Sequence, residues 1–82
     1  MKVKVNIRLK EGVLDPQGKA VLHALNSLGF DEVKDVRIGK QIILDIDSND
    51  ESAVRKRVEL MSEELLANTV IEDYEIEEEE II

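Results

Sequence analysis

The 82-residue chain carries 11 Lys and Arg against 19 Asp and Glu, a formal net charge of -8, and contains no cysteine. That balance repels nucleic acid and anionic bilayers, and with Phe30 and Tyr74 the sole aromatic side chains there is no base-stacking platform. The length suffices for one hydrophobic core, not two, and a chain with neither disulfide nor evident metal site draws added stability most readily from association with other chains.

Residues 2 to 10 alternate without a fault. Val3, Val5, Ile7 and Leu9 fall on one face, and Lys2, Lys4, Asn6, Arg8 and Lys10 on the other, the pattern of a half-buried strand with a basic outer face. Asp15-Pro16 then announces a helix over about 16 to 28, because the Asp carboxylate accepts from free first-turn amides and Pro at N1 sacrifices no bonded N–H. Val21, Ala24, Leu25 and Leu28 form its apolar stripe and Gly29 its left-handed stop. Gly18 weakens the first turn, which implies that something approaches the backbone closely there. From Val33 to Asp47 the period returns to two, with a break at Gly39-Lys40, and a tight hairpin is expected. Ser48-Asn49-Asp50-Glu51 has the spacing of a capping box, and a second helix to about Leu66 would bury Val54, Val58, Met61 and Leu65 while Leu60 lies off the stripe. Asn68 is the expected terminator. A last strand over about 69 to 77 places Val70, Tyr74 and Ile76 inside and Asp73, Glu75 and Glu77 outside, followed by an acidic end read as frayed.

The order strand, helix, strand, strand, helix, strand defines a single α+β domain of the βαββαβ, ferredoxin-like kind, with two helices on one face of the sheet. In that topology the first and last strands are antiparallel neighbours, so the basic outer face of one lies beside the acidic outer face of the other.

Chemistry is sparse. Without cysteine, a nucleophilic site would have to use His23, the only histidine, and Ser27 four residues on lacks oxyanion donors on a regular helix. Asp45 with Asp47, and Asp31, Glu32 and Asp35, are carboxylate groupings expected by chance among 19 acids, and no calcium-loop or phosphate-loop spacing occurs. Catalytic, cofactor and metal residues are therefore assigned to none. No run approaches the roughly 18 apolar residues of a membrane span, and the N-terminus alternates Lys with Val where a signal peptide would be apolar, so the expectation is a cytoplasmic chain with neither nucleic acid nor membrane as partner.

Three segments together resemble the PurS family: Leu9 to Val21, with Asp15-Pro16-Gln17-Gly18 at the helix entrance; Gly29 to Val33 leading into Asp35-Val36-Arg37-Ile38-Gly39-Lys40; and Leu65 to Tyr74, where Thr69 replaces a frequent proline. The resemblance covers essentially the whole chain and implies one domain over 1–82, with 78–82 as a frayed acidic tail. It further implies the small, non-catalytic subunit of a three-component phosphoribosylformylglycinamidine synthase, an ATP- and glutamine-dependent ligase of purine synthesis. In that enzyme a large synthetase subunit binds ATP and magnesium, and a glutaminase subunit releases ammonia. No cofactor is expected on this chain. The implied partners are those two subunits and further copies of the chain, as a dimer or a dimer of dimers. Asp15, Pro16, Gly18, Arg37 and Lys40 are the candidate subunit-contact residues. A rival reading is a dimeric ferredoxin-like regulatory domain holding a small effector in a cleft lined by Gly12 and Gly18.

Overall fold

The computed structural model describes residues 1–79. Strand β1 spans Lys2–Leu9, helix α1 Pro16–Ser27, β2 Gly39–Asp45, helix α2 Glu51–Met61 and β3 Glu72–Glu79. The three strands form one antiparallel sheet in the order β2-β1-β3, so the perfectly alternating first strand is central and gains two partners. Val3, Val5 and Ile7 are buried against Val54 and Val58 of α2 and Ala67, with Ile42, Leu44, Ile46, Tyr74 and Ile76 packed around them. The other face of the sheet is polar apart from the exposed Ile43. There Lys4 stands opposite Glu77 and Arg8 opposite Asp73, so the charge pairing expected of first and last strands is present in the register.

The α+β class and single sheet agree with the sequence, but among the described residues the sheet has three strands where four were expected. The missing strand is Val33–Ile38, which alternates like a strand and is irregular, and no hairpin forms at Gly39-Lys40, where β2 simply begins. The backbone of that segment is spent elsewhere. Ile38 donates its N–H to the Asp15 carboxylate (2.8 Å), and Val36 donates to Asp35 (3.0 Å). Side-chain partners of this kind compete directly with a sheet ladder.

Nor do both helices cover the sheet. Among the described residues, the core cluster and its packed surroundings include nothing from Lys10 to Gln41. Val21, Ala24 and Leu28, three of the four residues the sequence assigns to the α1 stripe, are exposed and Leu25 is only half-buried. Helix α1 and its return loop form an arm standing off the sheet, which gives the chain extents of 48 × 32 × 14 Å.

In the second helix the cap is Asp50, whose carboxylate accepts from Ala53 N–H (3.1 Å), and Ser48 accepts only from Asp50 N–H (3.2 Å), so the capping box does not form. Beyond Met61 the helix widens into one π turn, Ser62–Leu66, closed by the Ala67 N–H donating five residues back to Ser62 (3.0 Å). The wider turn advances the buried phase by one residue. Ser62 and Ala67 are buried and Leu66 partly so, while Leu65, expected inside, is 82% exposed. Asn68 ends the element by accepting from Val70 N–H (3.2 Å) on its side chain and from Ile71 N–H (3.0 Å) on its carbonyl. Val70 therefore lies in a turn and is exposed, where the sequence placed it in the last strand. Glu77, Glu78 and Glu79 belong to β3, paired with Lys4, Val3 and Lys2, and residues 80–82 of the acidic end lie outside the described residues.

Candidate functional site

The root of the arm is built around Asp15. The carboxylate is buried, accepting from Gly18 N–H (2.9 Å) at the first turn of α1 and from Ile38 N–H (2.8 Å) at the approach to β2. One side chain thus caps the helix and ties its two ends of chain together. Those backbone donors, Ile38 first and Gly18 second, hold its carboxyl below the ordinary 3.8, with the Arg37 guanidinium adding to the same effect. Gly18 has no room for a side chain, since a Cβ there would collide with the Val36 carbonyl oxygen. The close approach inferred from the sequence is therefore made by the return loop of the same arm.

Arg37 makes the second tie. Its Nη1 donates to the Val13 carbonyl (3.0 Å) and its Nη2 to that of Lys10 (3.1 Å), clamping the β1–α1 loop to the return segment. Asn26 does the same at the far end, donating to the carbonyls of Phe30 (3.1 Å) and Val33 (3.3 Å) just past the Gly29 stop, where φ is +96°. Nothing in a single sequence marks Asn26 for this role in the loop. Lys40, at the start of β2, lies 3.9 Å from the Glu72 carboxylate, which also accepts from Asn68 N–H (2.7 Å). Glu72 was not singled out, because its only signal was membership of a long acidic run.

Asp15, Gly18 and Arg37 are thus brought together and engaged within the chain, whereas Pro16 is exposed at the first position of α1 and Lys40 keeps 57% of its side-chain surface. Two shallow clefts flank the Asp15 tie: one of about 210 Å³ lined by Arg8, Gln17, Lys40 and Glu72, and one of about 250 Å³ lined by Gly12, Lys19, Asp35 and Arg37. Gly12 lines the second of these clefts, whereas the Val36 carbonyl lies against Gly18. The Ser27 hydroxyl donates to the His23 carbonyl oxygen (2.9 Å), the back-bond of a helical serine, which leaves the imidazole out of that interaction. Among the described residues, no three His, Cys, Asp or Glu are grouped to hold a metal ion, and no helix is long and apolar enough to cross a membrane.

Comparison with known proteins identifies the family. A family model for PurS, described as phosphoribosylformylglycinamidine (FGAM) synthase, matches residues 2–80. The chain belongs to the PurS family. Its relatives include the phosphoribosylformylglycinamidine synthase subunit PurS of Bacillus subtilis, 57% identical over 99% of this chain and 95% of that protein. The solved PurS of Methanocaldococcus jannaschii, one of the subunits of formylglycinamide ribonucleotide amidotransferase, superposes with a TM-score of 0.88 at 48% identity, covering 99% of this chain and 98% of that one. A structure of PurLQS from Thermotoga maritima contains a chain matching at TM-score 0.85 and 30% identity, covering 93% of each. The PurS fold therefore includes the three-stranded sheet and the projecting arm, since similarity runs through both.

Proposed function

We propose that this chain is the small subunit of a phosphoribosylformylglycinamidine synthase, a ligase of purine biosynthesis, acting in the cytoplasm with a synthetase subunit, a glutaminase subunit and further copies of itself. The observation that carries this reading is 57% identity to a PurS subunit across 99% of the chain. The subunit contributes by assembly. Ammonia released at one active site must reach another before it is protonated, because ammonium has no lone pair with which to attack, so the two sites have to be held in register and away from bulk water. A rigid bridging piece does this without touching substrate. ATP and magnesium belong to the synthetase subunit, and this chain needs no cofactor.

The docking surface on this reading is the loop from Glu11 to Gly18 with Lys40 beside it. Asp15 and Arg37 set the shape of that loop from within, and Pro16 and Lys40 present its outer face. The test is omission and restoration. Glutamine-driven FGAM formation by the synthetase and glutaminase subunits should require the chain, whereas turnover driven by added ammonia at alkaline pH should not, because free ammonia bypasses the transfer. Lys40→Glu should weaken restoration. Full glutamine-driven turnover without the chain would refute the proposal.

A further inference from the structure

Where β1 leaves the sheet, five charged side chains surround one cleft and no two of them form an ion pair. The cleft, about 430 Å³, is lined by Arg8 and Leu9 of β1, Glu11 of the loop that follows, Asp35 and Arg37 of the return segment and Asp73 of β3. Its volume is within the range of small-molecule sites, roughly 300–1,000 Å³. Arg8 and Asp73 are register partners on the outer face of the sheet, the arrangement in which opposite charges pair across antiparallel strands. Yet among the described residues the side chains of Arg8, Glu11 and Asp73 have neither an ion pair nor a hydrogen bond.

The walls of the cleft are fixed from behind. Glu11 belongs to a tight turn closed by the Val13 N–H donating to the Lys10 carbonyl (3.1 Å), with Gly12 at φ +87° in the position where such a turn demands a left-handed residue. The Lys10 N–H donates in turn to the Ile71 carbonyl (2.8 Å), which ties the loop to the approach to β3. Arg37 spends its Nη1 and Nη2 on the Val13 and Lys10 carbonyls, and Asp35 accepts from the Val36 N–H (3.0 Å). What remains is a preformed frame carrying one unspent guanidinium and two unspent carboxylates, and a frame already in place loses little to ordering when it binds.

The mixture of signs selects the ligand. A simple anion would meet Arg8 but face Glu11, Asp35 and Asp73, and a simple cation would have two guanidinium groups beside it. A molecule with both signs on neighbouring atoms satisfies both walls. We propose that this cleft binds a free α-amino acid, its carboxylate held by the Arg8 guanidinium and its α-ammonium by Asp73 and Glu11. A guanidinium takes a carboxylate through two parallel N–H donors, and two carboxylates offer acceptors enough for the three ammonium protons. All of these groups belong to one chain, so the site does not rest on the assembly role and is read without the glutamine-turnover assay.

The test is a nuclear magnetic resonance titration of the isotope-labelled chain at neutral pH. Glycine and L-glutamine are the probes; glycinamide, which lacks the carboxylate, and acetate, which lacks the ammonium, are the controls. Saturable shifts at the amides of residues 8–12, 35–37 and 72–74 are the expected result, with a dissociation constant of about 1–10 mM for a cleft so open to solvent, and neither control should reproduce them. Arg8→Gln should weaken binding about tenfold or more, and so should Asp73→Asn, while the core around Val3, Val5 and Ile7 is untouched because both side chains are on the outer face. Absence of saturation, equal shifts from acetate or glycinamide, shifts centred on another surface, or unchanged affinity in Arg8→Gln would each overturn the proposal.

Discussion

Gly18→Ala separates local helix propensity from the contact that the arm makes with itself. Alanine in place of glycine inside a helix is worth up to about 1 kcal/mol, so propensity alone forecasts a more stable protein. The structure forecasts the opposite. The new Cβ would collide with the Val36 carbonyl and approach Asp15 Oδ2 to 2.8 Å and its Cγ to 3.0 Å. The Val36 oxygen is backbone and has no side-chain freedom with which to yield. Overpacking of this kind costs about 1–3 kcal/mol, and movement of Val36 carries Ile38 away from the carboxylate two residues on. Because the clash is with backbone, the cost falls in the upper part of that range, about 2–3 kcal/mol, and after the propensity gain is offset the net loss is roughly 1–2 kcal/mol, or on the order of 5–15 °C in melting temperature for a domain of this size. Thermal and urea unfolding at one fixed chain concentration reads the global change, and hydrogen exchange of the α1 amides shows where it falls. A variant as stable as the wild type or more so would refute the close approach of Val36 to the helix.

Asp15→Asn should also lower the melting temperature at pH 7, since an amide offers one acceptor where two N–H donors converge. The native carboxyl titrates below its ordinary 3.8, so its contribution is present above that value and is lost as pH falls through the lower native one; the gap between wild type and variant in a pH series of melts should narrow progressively as the pH is taken below 3.8. The Tyr74 hydroxyl donates to Glu63 (2.8 Å), and that bond to a carboxylate, with burial and the nearby Glu59, raises its pKa above 10.0. Tyr74→Phe should cost about 0.5–1 kcal/mol at neutral pH, an advantage that disappears as the pH rises through the native tyrosine value, followed by absorbance at 295 nm. Val58→Ala, at a fully buried position, should cost about 2–3 kcal/mol in urea melts, whereas Leu65→Ser should cost almost nothing if the π turn directs Leu65 outward.

What the sequence made legible was whatever local chemistry decides. The perfect alternation of Val3, Val5 and Ile7 against lysines and arginine, the Asp15-Pro16 entrance to α1 and the Gly29 exit each carry their own physical cause, and each is where it was expected. The misses share a different cause. Val33–Ile38 alternates as a strand does, but alternation records which side of a segment is apolar and not which partner takes its N–H groups, and Asp15 takes the one at Ile38. The helical period beyond Met61 was extended at 3.6 residues per turn through a π turn that a single sequence does not announce, which put Leu65 on the wrong face. The α1 stripe was read as facing the sheet because an apolar face demands cover, yet Val21, Ala24 and Leu28 are exposed, and periodicity does not say which surface an apolar face meets. For the candidate contact residues, Asp15 and Gly18 were visible as a cap and a close approach, but the engagement of Arg37 with Lys10 and Val13 depends on a fold that brings residues 24 and 27 positions apart together.

The central claim is that the chain works as a fixed part of an assembly and not as a catalyst, and stoichiometry tests it most directly. Titrated into a constant amount of synthetase and glutaminase subunits, the chain should raise glutamine-driven FGAM formation in proportion to its amount and stop at a defined ratio to the synthetase. Full activity at a small fraction of that ratio, as from a component that turns over, would contradict it.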